Sequence, residues 1–227
     1  MSDVIVIGGG PAGSTTAALL AEMGRETILF ERELFPRFHI GESLMPDTYW
    51  TFARLGVLDE LKKSAFPQKH SVQFFGGSGR GSAPFYFSEN NPHESAMTWQ
   101  VMRGEFDQML LDNARAKGAT IYQGARVLDV LFAGEKASGV RAKLADGTTR
   151  DFAAEVVVDA SGQSALLSRK LKISHTEPTL KKASIYTHFS GAQRDSGRDE
   201  GATLILNTCD KDSWFWYIPL HNDTVSV

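Results

Sequence analysis

Hydrophobic and polar positions along the chain follow two periods, which predict both helices and strands. The apolar runs Val4 to Ile7 and Thr27 to Phe30 have the length of buried strands, and the stretch from Pro11 to about Met23 is helix-forming. A strand, a helix and a second strand in this order predict a compact βαβ unit at the start of the chain.

Helical spacing returns twice further along the chain. Gly104 to Lys117 has one apolar face, and Gly118 is placed to stop that helix. An earlier helix ends at Gly56 and carries four apolar residues at helical spacing: Met45, Tyr49, Phe52 and Leu55.

Strand-like patterns occupy much of the remaining sequence. Residues 69–74 alternate, and a hairpin is predicted around the Asp146-Gly147 turn. The unbroken apolar run Val156 to Val158 predicts a strand buried on both faces of a parallel sheet. Thr203 to Leu206 and Ser213 to Pro219 predict strands in the tail, and the last residues read as a truncated strand.

A G-x-G-x-x-G sequence, Gly8, Gly10 and Gly13, joins the first strand to the first helix. The first glycine permits a tight turn, the second lets the backbone approach a pyrophosphate, and the third lets helix and strand pack closely. Pro11 suits the first helical position, and the N–H groups of a helix N-terminus attract phosphate. Glu31 ends the next strand, where a carboxylate can bind the ribose hydroxyls of an adenosine.

Composition excludes several classes of protein. The 227 residues are 42% hydrophobic and 22% charged, as in folded globular proteins. A net charge of -3 with scattered basic residues predicts no nucleic-acid or membrane partner. The single cysteine, Cys209, is expected to be a small buried residue, and no sequence resembles a leader or a membrane span, so we expect a cytoplasmic protein. The six histidines have no metal-ligand spacing, so we expect no metal.

Two segments carry a resemblance to a known family. The run from Arg37 to Leu44, RFHIGESL, resembles flavoproteins that bind FAD through the glutathione-reductase-like fold, and more narrowly the flavin-dependent halogenases. The run from Trp214 to Pro219 is similar to the Trp-x-Trp-x-Ile-Pro signature of that family through Trp214, Trp216, Ile218 and Pro219. In halogenases this motif is thought to keep the organic substrate away from the flavin.

The resemblance implies an α/β fold, with a glutathione-reductase-like, Rossmann-type FAD-binding domain interleaved with part of a mostly β substrate domain. We expect the FAD-binding domain in residues 1–65 and 98–175, and the substrate domain in 66–97 and 176–227. The resemblance covers roughly the first half of such an enzyme, so the chain reads as truncated at its C-terminus.

The same resemblance implies a set of site residues. Arg103 would bind phosphate or a flavin carbonyl, Val127 would meet the adenine, and the turn from Asp159 to Gly162 would lie beneath the cofactor. The full set implied for FAD is Gly8, Gly10, Pro11, Ala12, Gly13, Ser14, Glu31, Arg32, Ile40, Gly41, Glu42, Ser43, Arg103, Val127, Asp159 and Gly162.

Lys69 falls where the family carries its active-site lysine. The implied chemistry is that reduced FAD and oxygen give a flavin hydroperoxide, chloride or bromide captures its distal oxygen, and hypohalous acid reaches the lysine. The amine then hydrogen-bonds the acid or becomes a haloamine, and an electron-rich aromatic carbon is halogenated. Desolvation would leave a usable amine, whereas an ordinary solvated lysine is the alternative interpretation.

Partners and two competing functions follow from the resemblance. We expect a separate flavin reductase, a phenol- or pyrrole-like aromatic substrate that is free or carrier-bound, and a C-terminal companion segment or chain. Ser71 stands where the family often has glycine, which leaves open a flavin monooxygenase or a flavin-linked isoprenoid reductase. An inactive or partner-dependent fragment with an incomplete flavin site is the third interpretation.

Overall fold

The structure is a computed structural model that describes residues 1–210 and 212–227. The chain forms two compact units. The first unit consists of Met1–Phe38 and Gly104–Lys181, and the second of His39–Arg103 and Lys182–Val227. The domain limits expected from the sequence lie elsewhere and stay a prediction.

The first unit is built of strands and helices whose bounds are those in the whole chain. They begin with β1 (Ser2–Ile7), α1 (Pro11–Glu22), β2 (Thr27–Glu31), α4 (Arg103–Ala116), β7 (Thr120–Gln123), β8 (Arg126–Ala133) and β9 (Lys136–Lys143). It is completed by β10 (Thr149–Asp159) and α5 (Leu166–Lys170). The second unit contains α2 (Thr48–Leu55), α3 (Leu58–Lys63), β3 (Gln68–Lys69), β4 (Ser71–Phe75), β5 (Phe85–Tyr86), β6 (Thr98–Trp99), β11 (His188–Ser190), β12 (Thr203–Asn207), β13 (Trp214–Pro219) and β14 (Thr224–Ser226).

A six-stranded sheet in the order β7-β2-β1-β10-β9-β8 organises the first unit. Its first four strands are parallel, with Val4 between Thr27 on β2 and Val156 on β10. The strands β10, β9 and β8 continue the sheet in antiparallel pairs. This arrangement confirms the βαβ start, the hairpin and the Rossmann-type α/β class expected from the sequence.

The core of the first unit is apolar and lies against this sheet. Ile5 and Phe30 are fully buried, and Phe30 stacks on Tyr122 with ring centroids 5.1 Å apart. The remaining members of this core are Ile7, Ala125, Val127, Val130, Val140, Ala142 and Ala154. Burial of such side chains contributes about 1.5–3 kcal/mol for each large one, which fixes the register of the strands.

A second six-stranded sheet, in the order β11-β14-β13-β12-β4-β5, organises the second unit. Ile205 on β12 is the neighbour of Trp216 on β13 and of Phe74 on β4. The short strands β3 and β6 pair separately, with Lys69 opposite Thr98. The strands expected in the tail are therefore confirmed, and the mostly β character of this unit is as expected.

Three local expectations have different outcomes. Gly56 ends α2 in the left-handed conformation, as expected, whereas Met45 lies before the helix begins. The expectation of a strand buried on both faces is wrong, because Val156 is 51% exposed although β10 lies inside the sheet. The expectation for Cys209 is wrong as well, because it is exposed. A run of apolar residues in the sequence does not predict whether another segment will pack against it in the fold.

Across the described parts of the chain, no helix combines the length and the apolar character needed to cross a bilayer.

Candidate functional site

The glycine turn of the first unit is built as its sequence requires. Gly8 has a φ of 101°, and a Cβ there would lie 2.6 Å from the carbonyl oxygen of Ala160. A Cβ at Gly13 would lie 1.8 Å from the carbonyl oxygen of Gly8. At Gly10 a Cβ would meet nothing nearer than Nη2 of Arg37, at 3.7 Å. Two glycines therefore allow close packing, whereas a side chain at Gly10, where α1 begins, would make only an ordinary contact with Arg37.

Glu31 supports this turn from below. It is buried, its Oε2 accepts a hydrogen bond from the backbone N–H of Gly9 (2.7 Å), and its Oε1 accepts one from the N–H of Glu33 (2.8 Å). A carboxylate has about four acceptor positions, so capacity remains for ribose hydroxyls. The ribose role of Glu31 stays a prediction.

Arg37 lies within the RFHIGESL run but is not among the site residues expected from the sequence. Its guanidinium is the group nearest to the place of a Cβ at Gly10, and its Nη1 lies 2.8 Å from Oδ2 of the fully buried Asp107, outside hydrogen-bond geometry. The guanidinium also lies 4.6 Å from the ring centroid of Phe35. An arginine held in this way beside a helix N-terminus suits a phosphate group. Its position next to FHIGES was the available sequence signal.

The turn after β10 packs against the glycine turn through Ala160. Asp159 Oδ1 accepts the N–H of Ser161 (3.0 Å), and Oδ2 accepts the N–H of Leu167 (2.7 Å). Burial by itself would raise the pKa of Asp159, but these hydrogen bonds lower it below its usual range. Its carboxylate therefore shapes the turn that Gly162, with a φ of 60°, continues.

The other candidates in the first unit occupy different environments. Ser14 is fully buried and donates to the carbonyl of Gly9 (2.8 Å), which ties α1 to the turn. Val127 is a core residue of β8. Arg32 is exposed, and its Nη1 donates to Ser164 Oγ at 3.4 Å. Pro11 and Ala12 begin α1, where the helix N–H groups are available.

In the second unit, the loop from Ile40 to Ser43 is held by backbone and side-chain contacts. Arg103 Nη1 donates to the carbonyl oxygen of Ile40 (2.7 Å), and Gly41 has a φ of 110°. The N–H of Val101 donates to the carbonyl of Glu42 (2.7 Å). These contacts hold the loop beside β6.

The Glu42 side chain faces into the second unit. It is 3% exposed, and its Oε1 lies 2.7 Å from Nε2 of His188 on β11. Glu42 thus anchors the loop to the larger sheet of this unit. His188 is a partner that the sequence analysis did not find, because it lies 146 residues further along the chain.

Lys69 is buried in the second unit, with 4% of its surface exposed. Nζ donates to Oγ of Ser43 (2.9 Å) and to the carbonyl oxygen of Leu44 (3.2 Å), and it lies 5.6 Å from the ring centroid of Phe87. Burial lowers the pKa of Lys69 from 10.5 to about 8. The alternative of an ordinary solvated lysine does not describe this side chain.

The aromatic strand β13 lies in the same unit. Trp214 and Trp216 are 51% and 53% exposed, and Ile218 and Pro219 are buried, so a strand buried on both sides is not observed. Strand alternation places Trp216 on the sheet face that carries Thr203, since Trp216 pairs with Ile205. Thr203 Oγ1 lies 3.1 Å from Ser43 Oγ, the partner of Lys69.

Within residues 1–210 and 212–227, no three or more His, Cys, Asp or Glu side chains lie together in a way that could hold a metal ion.

Known proteins resemble this chain over almost its whole length. It is 34% identical to the 1H-pyrrole-2-carbonyl-[peptidyl-carrier protein] chlorinase of Pseudomonas fluorescens, with 99% of this chain and 54% of that protein covered. It is 35% identical to the corresponding brominase of Pseudoalteromonas luteoviolacea, with coverage of 99% and 53%. The chain thus spans about half the length of these relatives.

A solved structure of a halogenase is also similar to this chain. The myxobacterial chondrochloren halogenase CndH, an FAD-dependent halogenase, superposes with a TM-score of 0.86 at 36% identity, covering 99% of this chain and 51% of that one. The profile of the family described as "FAD binding domain" matches residues 1–226. The glycine turn, the buried Glu31 beneath it and the parallel sheet are thus those of a known family, and this chain belongs to the FAD binding domain family.

Proposed function

We propose that this chain carries the FAD-binding and lysine-bearing portion of a flavin-dependent halogenase that acts on an electron-rich, pyrrole- or phenol-like aromatic. The observation that carries the proposal is the buried Lys69 amine, held by Ser43 and Leu44 in the unit that also contains the Trp214–Pro219 strand. The similarity to pyrrole chlorinating and brominating enzymes over 99% of the chain supports it.

The residues of the first unit fit the diphosphate of FAD. Gly10, where a Cβ would meet only the guanidinium of Arg37, lies where the N–H groups of α1 begin. The loop from Ile40 to Ser43 and Arg103 are proposed to bind the same cofactor. Bound reduced FAD would supply the activation of oxygen that converts chloride or bromide into hypohalous acid.

Lys69 is proposed to pass the halogen to the substrate. With a pKa of about 8, the side chain is an ammonium in about nine molecules of ten at pH 7, and an amine in the rest. The ammonium can donate a hydrogen bond to the oxygen of hypohalous acid. The amine can instead take the halogen, so that an N–X bond forms, the O–X bond breaks and water leaves. In either form the halogen ends on an aromatic carbon, which loses its proton.

Partners belong to the same proposal. The names of the chlorinase and the brominase describe pyrrole-2-carbonyl groups on a peptidyl carrier protein, and we propose a carrier-bound aromatic as the substrate class. A separate reductase would supply reduced flavin, and the part of such an enzyme that this chain does not cover would act as its companion. The single cysteine agrees with a reducing compartment, and we place the protein in the cytoplasm.

The test supplies the purified protein with reduced FAD, oxygen, bromide and an activated phenol or a pyrrole thioester. Halogenation gives a product mass with the paired bromine isotopes. Hydroxylated product without that pair would indicate a monooxygenase, and alkene reduction of an isoprenoid would indicate a reductase. A colourless protein that takes up no added FAD would instead support the incomplete-fragment interpretation.

A further inference from the structure

A chain of buried and part-buried polar side chains leads away from Lys69, and its inner members, Gln100 and Thr203, have no role in the proposed reaction. Gln100 is fully buried, and its Nε2 donates to Oγ1 of Thr203 at 2.8 Å. Thr203 Oγ1 lies 3.1 Å from Ser43 Oγ, which lies 2.9 Å from Lys69 Nζ. Four side chains from distant parts of the sequence therefore form one hydrogen-bonded line in the second unit.

The orientation of this line is set at its inner end. Gln100 Nε2 also donates to the carbonyl oxygen of Gly201 (2.9 Å), and a carbonyl oxygen can only accept. The NH₂ group of Gln100 therefore faces Gly201, and the same group must donate its second proton to Thr203. Thr203 Oγ1 thus accepts a hydrogen bond from Gln100. Its remaining capacity to form hydrogen bonds is left for Ser43.

The surrounding backbone holds Gln100 and Gly201 in place. The N–H of Gln100 donates to the carbonyl oxygen of Pro67 (2.9 Å), and Gln100 forms an isolated bridge with Ser43. A Cβ at Gly201 would lie 2.2 Å from the carbonyl oxygen of Gln68, so the chain passes Gly201 in tight contact beside Lys69. The inner end of the line is therefore part of the packed framework.

At the outer end, the line restricts the nitrogen of Lys69. Nζ directs one N–H to Ser43 Oγ and another to the carbonyl oxygen of Leu44. A tetrahedral nitrogen with two directions occupied has one direction left, which carries the third proton of an ammonium or the lone pair of an amine. The N–H bond or lone pair of Nζ that would react, its free valence, therefore points away from Ser43 and Leu44.

We propose that Gln100, Thr203 and Ser43 are positioning residues that fix the direction of the free valence of Lys69. Gln100 and Thr203 act through Ser43, because their side-chain hydrogen bonds connect them to each other and to Ser43 and not to Nζ. The value of this direction for halogen transfer rests on the proposed function, whereas the hydrogen-bonded line is a property of the fold.

The test compares two buried threonines that differ in one respect. Thr203 belongs to the line, whereas Oγ1 of Thr98, opposite Lys69 on β6, has no hydrogen-bond partner among the described residues. Thr203→Val and Thr98→Val each replace a hydroxyl by a methyl group of similar size. The pKa of Lys69 is followed in this chain by NMR of ε-¹³C-labelled lysine, and Lys69→Arg identifies its signal.

We expect Thr203→Val to lower the pKa of Lys69 by about 1 unit, because Ser43 Oγ, which accepts from the ammonium, loses the hydrogen bond to Thr203 that holds and polarises it. Ser43→Ala, which removes the acceptor itself, should lower it at least as far. Thr98→Val should leave it unchanged, and circular dichroism verifies that each variant folds. If Thr203→Val fails to fold, Ser43→Ala with the Thr98→Val control decides the question.

The proposal is wrong if Thr203→Val and Ser43→Ala shift the pKa of Lys69 no further than Thr98→Val does. Halogenation assays of the same variants separate the two proposals. A shifted pKa in a protein that never halogenates supports the positioning line and overturns the proposed function. An unshifted pKa overturns the positioning line whatever the enzyme does.

Discussion

At the scale of single residues, burial sets the chemistry of Lys69. Its amine lies among Ser43, Leu44 and the ring of Phe87. Loss of hydration on burial lowers its pKa. Desolvation disfavours the ammonium, so a fraction of the side chain is a neutral amine near neutral pH. A surface lysine would remain fully protonated there.

Replacement of this amine should abolish halogenation and leave the fold intact. We expect Lys69→Ala to reduce the rate by at least about 100-fold, since the group proposed to carry the halogen is lost. Mass spectrometry of the product measures this rate. Lys62→Ala is the control, because Lys62 is partly exposed and pairs with Glu94 at 3.0 Å. Full activity in Lys69→Ala would disprove the catalytic assignment.

Lys69 should also make stability depend on pH. The folded-state pKa of about 8 lies below the ordinary value of 10.5, so between these values the unfolded chain binds more protons. The free energy of unfolding should therefore rise from pH 8 to pH 10.5, with about 2 kcal/mol gained between pH 7.5 and 9.5. Urea denaturation at both pH values measures this gain. Lys69→Met should lack it, and an equal gain in that variant would contradict the lowered pKa.

At the scale of elements, the turn between β1 and α1 combines two requirements that a substitution can separate. Gly13 lacks a side chain because the carbonyl oxygen of Gly8 occupies the place of its Cβ. Gly10 has room for a Cβ, and its backbone is extended (φ -68°, ψ -177°), a conformation open to any residue. Packing therefore explains Gly13, and the proposed phosphate site would explain Gly10.

Gly13→Ala and Gly10→Ala should consequently behave differently. We expect Gly13→Ala to destabilise the protein by about 3 kcal/mol, at the upper end of the usual cost of overpacking, because helix and strand must move apart. Gly10→Ala should keep the wild-type melting temperature and lose affinity for FAD. Thermal unfolding and flavin absorbance measure the two properties. If Gly10→Ala bound FAD as tightly as the wild type, the space beside it would not be the phosphate site.

At the scale of the whole molecule, a bound cofactor should stabilise the chain. A ligand present at 100 times its dissociation constant adds about 2.7 kcal/mol, which raises the melting temperature of a protein of this size by about 5 to 10 °C. We expect this increase when FAD is added to the wild type, and none in Gly10→Ala. Differential scanning fluorimetry measures it, and an unchanged melting temperature in the wild type would contradict FAD binding by this chain.

The sequence by itself determined the βαβ start, because the requirements of that turn are local. Gly8 and Gly13 are within six residues of each other, and their steric demands do not depend on distant segments. The strands of the tail and the end of α2 at Gly56 were determined in the same way, by alternation and by a left-handed glycine. The resemblance then identified Lys69 and the Trp214–Pro219 strand as candidates.

Only the tertiary structure decided what surrounds those candidates. Ser43 is 26 residues from Lys69 in the sequence, and Thr203 is 160 residues from Ser43. No short sequence motif therefore contains all three residues. The same reason explains the exposed Val156 and Cys209, and the place of Arg37 beside Gly10. Backbone geometry is set by neighbours along the chain, whereas burial, pKa and hydrogen-bond partners are set by segments that folding brings together.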